Sequence, residues 1–183
     1  LRAQIGDAEA SAAGNDELVR RLNDELREAR LVAGLVELEG PGLVVRLDDS
    51  TQPVPPDVAA ADYLVSANDL RDVLTELWLA GAQAISVNSE RIVASTALTD
   101  IGSSVLVNSS YLQPPYDISV IGPPELYDRL TTAAGFIDFT RTRVQGYGLQ
   151  LGFVPAGDVV VAAYSGVINL VQARPVPSPA SAP

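Results

Sequence analysis

The sequence has no histidine, no cysteine, no lysine and no methionine among its 183 residues, and all twelve of its cationic side chains are arginine. Each absence excludes a chemistry. Without imidazole no side chain titrates near pH 7 at its ordinary pKa. Without a thiol there is no thiolate nucleophile, and without lysine no Schiff base can form. The His and Cys ligands of ordinary zinc sites are missing as well. Aromatics supply 5% of the residues, so the 47% that are hydrophobic describe a core of Val, Leu, Ile and Ala. The lack of cysteine fits any compartment, oxidising ones included.

Positive charge is also scarce. The formal net charge is −11 and the pI about 4.3, so no basic patch is available to neutralise phosphates, and nucleic acid is excluded as a partner. The same charge disfavours direct binding to an anionic membrane surface. No run of about 18 apolar residues is present to span a bilayer, and no signal peptide is visible. With no methionine, Leu1 is not a translation start, and the chain is expected to be a processed product or a piece of something longer. Arginine in place of every lysine, with abundant Ala, Gly and Val, is the composition of a GC-rich genome and points to an actinobacterial source.

What is present reads as a stem, a domain and a tail. Residues 1–38 are the stem. Ile5, Ala8, Ala12, Val19, Leu22, Leu26, Ala29 and Ala33 recur at alternating spacings of three and four, with Asn15 in the skipped seam position, which is a heptad pattern. A coiled coil that pairs two copies is the expectation. A helix docked on its own domain, broken at Gly14-Asn15, is the alternative. Asp16, Glu17, Asp24 and Glu25 face Arg20, Arg21, Arg27 and Arg30 at helical spacings.

The domain spans residues 39–166. Gly40-Pro41-Gly42 is expected to end the stem, Leu43–Asp48 to form a strand, and Asp49–Asp57 (DSTQPVPPD) a Pro-rich loop. A helix is predicted from Asn68 to Leu79, with Leu70, Val73, Leu74, Leu77 and Trp78 on one face. Ser66 or Asn68 serves as N-cap and Gly81 as the stop. Further strands are predicted over Ala84–Val87 and Ile118–Ile121, and a hairpin with Val105–Val107 and Tyr111-Leu112 around Asn108–Ser110. Gly122-Pro123-Pro124 opens a helix carrying Leu126, Tyr127 and Leu130, and a second helical piece covers Phe136–Val144. Gly146–Phe153 and Val159–Ala163 close with strand character. The order is β-α-β-β-α-β with an extra hairpin, so the expected fold class is α+β, a ferredoxin-like split βαβ two-layer sandwich behind the helical stem. Residues 167–183 are a C-terminal extension ending in a Pro-rich tail, Arg174–Pro183, that is disordered by composition.

Only carboxylates, hydroxyls, amides and arginines remain to do chemistry. Asp48, Asp49, Asp57, Asp62, Asp69, Asp72 and Glu76 could supply acid/base pairs, but no motif marks a pair, and they read as solvated surface acids. Asp48-Asp49-Ser50 lacks the D-x-D-x-D-G spacing of a calcium loop, and neither a G-x-S-x-G elbow nor a phosphate-cradling glycine loop occurs. Asn108-Ser109-Ser110 matches a glycosylation sequon, but a turn accounts for it. The candidate contact residues are Asn88, Arg91 and Tyr116, near the end of the sheet. Arg91 is expected to pair with Asp69 or another carboxylate as a structural bridge. The alternative is that its guanidinium fork receives a carboxylate or phosphate ligand.

The densest segments, NDLRDV at Asn68–Val73, LWLAGAQAISVNSERI at Leu77–Ile92 and PPYDISVIG at Pro114–Gly122, resemble the YlxW/YlxX-like family, catalogued as domain of unknown function 881. Leu35–Gly42 and Ala163–Gly166 fit the same pattern, and the resemblance covers about residues 30–166. It implies a membrane-anchored protein with one N-terminal membrane helix absent from this chain, then a coiled coil, then this domain outside the cytoplasm. It also implies a neighbourhood of cell-division genes, no assigned enzyme activity and no cofactor. On this reading the chain is a non-enzymatic interaction or scaffold domain, a homodimer through its N-terminal helix, with envelope or cell-division proteins as partners. The alternative is a sensor for a small cell-wall fragment, with its site near Arg91.

Overall fold

The computed structural model describes residues 2–166, with side chains from Glu17 onward except that of Pro155. The expected extension over 167–183 and the seam side chains Ile5, Ala8, Ala12 and Asn15 lie outside what is described. The chain is a mixed α+β protein with antiparallel sheets. A long helix, α1 (Arg2–Val32), leads into β1 (Leu38–Asp48), α2 (Ala67–Leu79), β2 (Ala84–Val87) and β3 (Glu90–Ile92). Three short strands follow, β4 (Leu98–Ile101), β5 (Ser104–Val107) and β6 (Ser110–Leu112). Then come β7 (Tyr116–Ile121), α3 (Leu126–Thr132), α4 (Ala134–Phe139) and β8 (Gln150–Val161).

The main sheet runs in the order β3-β2-β7-β1-β8, and every neighbouring pair is antiparallel. Alternation along the strands gives it two faces. Leu43, Val45 and Leu47 stand opposite Val120, Ile118 and Tyr116, and with Ile85 and Val87 they form the buried face. The helices lie on that face. Leu70, Val73, Leu74 and Leu77 of α2, Leu126 and Leu130 of α3, and Phe136 and Phe139 of α4 join the same core. Each such side chain contributes about 1.5–3 kcal/mol by leaving water. A smaller buried cluster, Ala84, Ile121, Val159 and Val161, sits at positions of opposite parity, on the other face. The second sheet, β4-β5-β6, sends Val105 and Val107 into the main core. It is tied to α2 where the Ala67 N–H donates to Asp100 Oδ1 at 2.6 Å.

α2 starts at a capping box. Ser66 Oγ accepts from the Asp69 N–H, and the Asp69 carboxylate accepts from the Ser66 N–H at 2.8 Å. Gly81, at φ +104°, turns the chain after the helix. α1 continues through Gly14-Asn15 without a break. From Glu17 to Val32 all its side chains are exposed, so it is not docked on the domain through the part whose side chains are described.

Three boundaries differ from the sequence reading. β1 begins at Leu38 and passes through Gly40-Pro41-Gly42, because Pro41 falls where the β1–β8 register shifts and no ladder bond is asked of it. The two closing strands are one, β8. It is an edge strand, and an edge tolerates Pro155, while the register shift accommodates the residues between Ala156 and Val159. Beyond α4 the chain widens into a π-helical turn over Thr140–Gln145, a local geometry that apolar spacing does not reveal.

Candidate functional site

The turn between β2 and β3 is made by two consecutive residues in the left-handed region, Asn88 at φ +45° and Ser89 at φ +72°. A tight hairpin of this hand favours asparagine at its first central position. Both N–H groups of the Asn88 amide are then used, and its oxygen accepts one bond. Its Oδ1 accepts from the Asp117 N–H at 2.7 Å, and its Nδ2 donates to Pro115 O at 3.2 Å and Gln113 O at 3.4 Å. It thus fastens the turn to the segment holding the cis Pro114–Pro115 bond, and it has no donor left for a ligand.

Tyr116 lies on the core face opposite Leu47 and is fully buried. Its hydroxyl donates to Leu112 O at 3.4 Å. Burial, with Asp49 adding negative charge nearby, pushes the phenol up to about 12, so it stays protonated at pH 7. Arg91 is paired with Ser86, a position of opposite parity to Ile85 and Val87, and therefore lies on the other face of the sheet. Asn88 and Arg91 lie three positions apart at the β2–β3 turn and Tyr116 comes 25 positions later on β7, and Tyr116 and Arg91 do not share a site.

Arg91 is 6% exposed. Both hydrogen bonds of its guanidinium to described residues come from Nη1, to Val36 O at 3.3 Å and Ala162 O at 3.2 Å. Nε is buried and has no acceptor among the described residues. The expected bridge to Asp69 is not formed, and among the described residues Arg91 takes part in no ion pair. Burial accordingly lowers its pKa, with no carboxylate acting against that shift. Gly34, at φ +74°, packs behind the guanidinium. A Cβ there would stand 3.6 Å from Arg91 Nε and only 2.7 Å from Val93 Cγ1. Arg91 lines a cleft of about 470 Å³ between the end of α1, the end of α2 and β3, whose walls include Leu31, Val32, Leu38 and Trp78, with Gln83 as a second polar group.

Asp69 has a different partner. Arg143, on the π-helical turn, reaches it with two bonds, Nε to Oδ1 at 2.6 Å and Nη2 to Oδ2 at 2.9 Å, and also donates to Asp62 O at 2.9 Å and Leu64 O at 3.1 Å. Its guanidinium lies 5.0 Å from the centre of the Tyr147 ring. Burial pulls the Arg143 pKa down, but the hydrogen bonds and charge of Asp69 outweigh it, and the net shift is upward. Asp69 is thus a buried structural acid and not a solvated one, at 3% exposure. The S-x-x-D spacing of Ser66 and Asp69 was a readable signal of a helix start. The arginine 74 positions on was not readable. A second fork, Arg46 to Asp117 at 2.7 and 2.8 Å, lies exposed on the open face. Asp49 spends a carboxylate oxygen on the Val65 N–H at 2.7 Å. Among the described residues no three acidic side chains converge as a metal site requires.

With this geometry in view, the comparisons with known proteins decide the family. A family profile described as "Bacterial protein of unknown function (DUF881)" matches residues 25–174. The chain belongs to the DUF881 family. UPF0749 protein Rv1823 of Mycobacterium tuberculosis (strain ATCC 25618 / H37Rv) is 30% identical over 139 residues, 70% of this chain and 45% of that protein. UPF0749 protein YlxW of Bacillus subtilis (strain 168) is 29% identical over 116 residues, 63% of this chain and 50% of that protein. The chain therefore spans about half the length of these relatives. Among solved structures, an uncharacterized conserved protein from Mycobacterium tuberculosis superposes with a TM-score of 0.62 at 28% identity, covering 83% of this chain and 99% of that one. None of these DUF881 and UPF0749 descriptions states a reaction. Among the described residues no helix is long and apolar enough to cross a membrane.

Proposed function

We propose that this DUF881 domain is a non-enzymatic scaffold or interaction module, presented in pairs by α1, on the extracytoplasmic side of a membrane-anchored protein. The observation that carries the reading is the bare helix. Val19, Leu22 and Leu26 occupy successive seam positions and are each more than half exposed. An amphipathic helix left uncovered by its own domain calls for a second helix. A second copy fits by charge. With Val19 and Leu26 at the a positions, Glu25 falls at g and Arg30 at the following e. In a parallel pair these two meet, Glu25 of one copy against Arg30 of the other, on both sides of the seam.

The domain on the stem is read as a ferredoxin-like split βαβ sandwich. Its strand order β8-β1-β7-β2, with helical crossovers after β1 and β7, supports this, and β3 is an added edge. Its partners are envelope or cell-division proteins, an assignment that rests on the family resemblance.

The pairing is tested by mass in solution. The parent chain is expected at twice its 19.2 kDa by light scattering, and Leu22→Asp with Leu26→Asp at the monomer mass. Glu25→Arg should weaken the pair and Arg30→Glu added to it should restore it. A parent that is monomeric at tens of micromolar would remove the pairing reading.

A further inference from the structure

Among the described residues Arg91 is the one with a buried side-chain polar atom left without a hydrogen-bond partner. A guanidinium taken out of water needs an anion or a full set of acceptors, because an unmatched buried charge is expensive. Here two backbone carbonyls, at 3.2 and 3.3 Å, take Nη1 alone. Nε has none among the described residues, and no carboxylate among them reaches the group. Arg143, a partly buried arginine at 19% side-chain exposure, shows what completion looks like in this fold, with a bidentate carboxylate and two carbonyls. Arg91 differs from it in lining an open cleft with apolar walls.

We infer that the cleft beside Arg91 is a binding site for a carboxylate carried on an apolar body, the carboxylate going to the Arg91 fork and the body against Leu38, Val32 and Trp78. The fork geometry suits a planar carboxylate, two N–H groups to two oxygens. The apolar walls and the single neutral amide of Gln83 suit a ligand with one charged end. Gly34 lines the cleft beside this edge of the guanidinium, where the Cβ of any other residue would stand 3.6 Å from Nε, 3.7 Å from Nη2 and 2.7 Å from Val93 Cγ1. A free small acid and the C-terminus of a peptide with apolar last residues both carry such a carboxylate, and the chemistry at Arg91 is the same for both. This inference does not rest on the pairing of α1.

Trp78 makes the test direct. It is the one tryptophan of the chain, it lines the cleft, and it is 40% exposed, so its emission reports on what occupies the site. The 183-residue protein is titrated with octanoate and with acetyl-leucyl-valine, each against its uncharged counterpart, octanol and the acetyl-leucyl-valine amide. A saturable change in emission with an acid, at least ten-fold weaker with the matching neutral compound, supports the site. Binding of the peptide acid alone assigns it to peptide C-termini, binding of octanoate alone to free small acids, and binding of both to the shared chemistry. Arg91→Gln is expected to weaken binding at least ten-fold, the loss of one charge-assisted interaction. If that variant does not fold, Ala94→Phe is decisive, because Ala94 is exposed on the cleft wall and the larger ring occupies the space a ligand would take. No saturable signal with either acid, equal affinity for acid and neutral forms, or unchanged binding in folded Arg91→Gln or in Ala94→Phe overturns the inference.

Discussion

Removing Arg143 should cost this protein far more than removing Arg46, although both arginines fork onto an aspartate with nearly the same geometry. The Arg46–Asp117 bonds are 2.7 and 2.8 Å and the Arg143–Asp69 bonds 2.6 and 2.9 Å, so distance cannot distinguish them. Burial does. The side chains of the first pair are 57% and 39% exposed, and those of the second 19% and 5%. Arg143→Ala strands a buried carboxylate, and breaking a buried pair from one side costs about 3–5 kcal/mol. Two details place the value at the lower end. Asp69 keeps the Ser66 N–H and Oγ–H as donors, and Arg143 retains some contact with solvent. About 3 kcal/mol is expected, which for a chain of this length is a fall in Tm of about 6–12 °C. The stranded carbonyls of Asp62 and Leu64 add a local sign, loosening of the 3₁₀ turn at Ala60–Tyr63. Thermal unfolding followed by far-UV circular dichroism gives the Tm, and hydrogen exchange at Tyr63–Val65 gives the local effect. Arg143→Lys should recover only part of the loss, since an ammonium cannot span both oxygens and both carbonyls. Arg46→Ala should leave Tm within experimental error. If Arg46→Ala proves as damaging as Arg143→Ala, burial is not what sets the worth of these pairs.

Burial, with Asp48 adding to it, raises the pKa of Asp49 above its ordinary 3.8, against the opposing pull of the Val65 N–H. The folded state therefore holds that proton longer than the unfolded state. Stability on this account is greatest below the unfolded pKa and declines as pH rises through the folded one. The Asp49→Asn variant lacks an ionisable group at that position and so escapes the decline. Urea titrations at about pH 3.5 and pH 7 should show it gaining on the parent at the higher pH; equal differences at both would refute this. Gly42→Ala would place its Cβ 1.8 Å from Val120 O in the adjacent strand, whereas Gly135→Ala meets the flexible end of Glu76 at 2.0 Å. The first should cost about 3 kcal/mol or more and the second little, because a carboxylate swings away and a paired backbone does not; comparable losses in chemical denaturation would contradict this.

Much of the fold was legible because its signals are local. Leu70, Val73, Leu74 and Leu77 recur at helical spacing beside a capping box, and the structure buries all four. Ala84–Val87 is a short run of small and apolar residues broken by the single hydroxyl of Ser86, and it forms β2 with those bounds. The site was legible only in part. Arg91 stood out, but its surroundings are made by Val36, Ala162 and Gly34, distant in sequence and contributing backbone, which no side-chain pattern encodes. Asn88 looked like a contact residue because its amide is polar, and only the left-handed turn explains why both its N–H groups are spent within the chain. Pairing Arg91 with Asp69 failed for the same reason. The arginine that fits Asp69 is carried by a π-helical turn, whose extra residue per turn is invisible to a reading by 3.6-residue periods.

The chain enters β1 at Leu38 and leaves β8 at Val161, and these two residues face each other across the ladder. The path in from the stem and the path out of the sheet thus lie at one end of the molecule, where the Tyr164 N–H bonds Gly34 O and Arg91 bridges Val36 O and Ala162 O. Tension between the stem and the segment after β8 would load that end first. It would open β1 from β8 one hydrogen bond at a time, in the manner of a zipper and not in shear, so the clasp formed by Arg91 and the Gly34–Tyr164 bond sets the force at which the domain begins to yield.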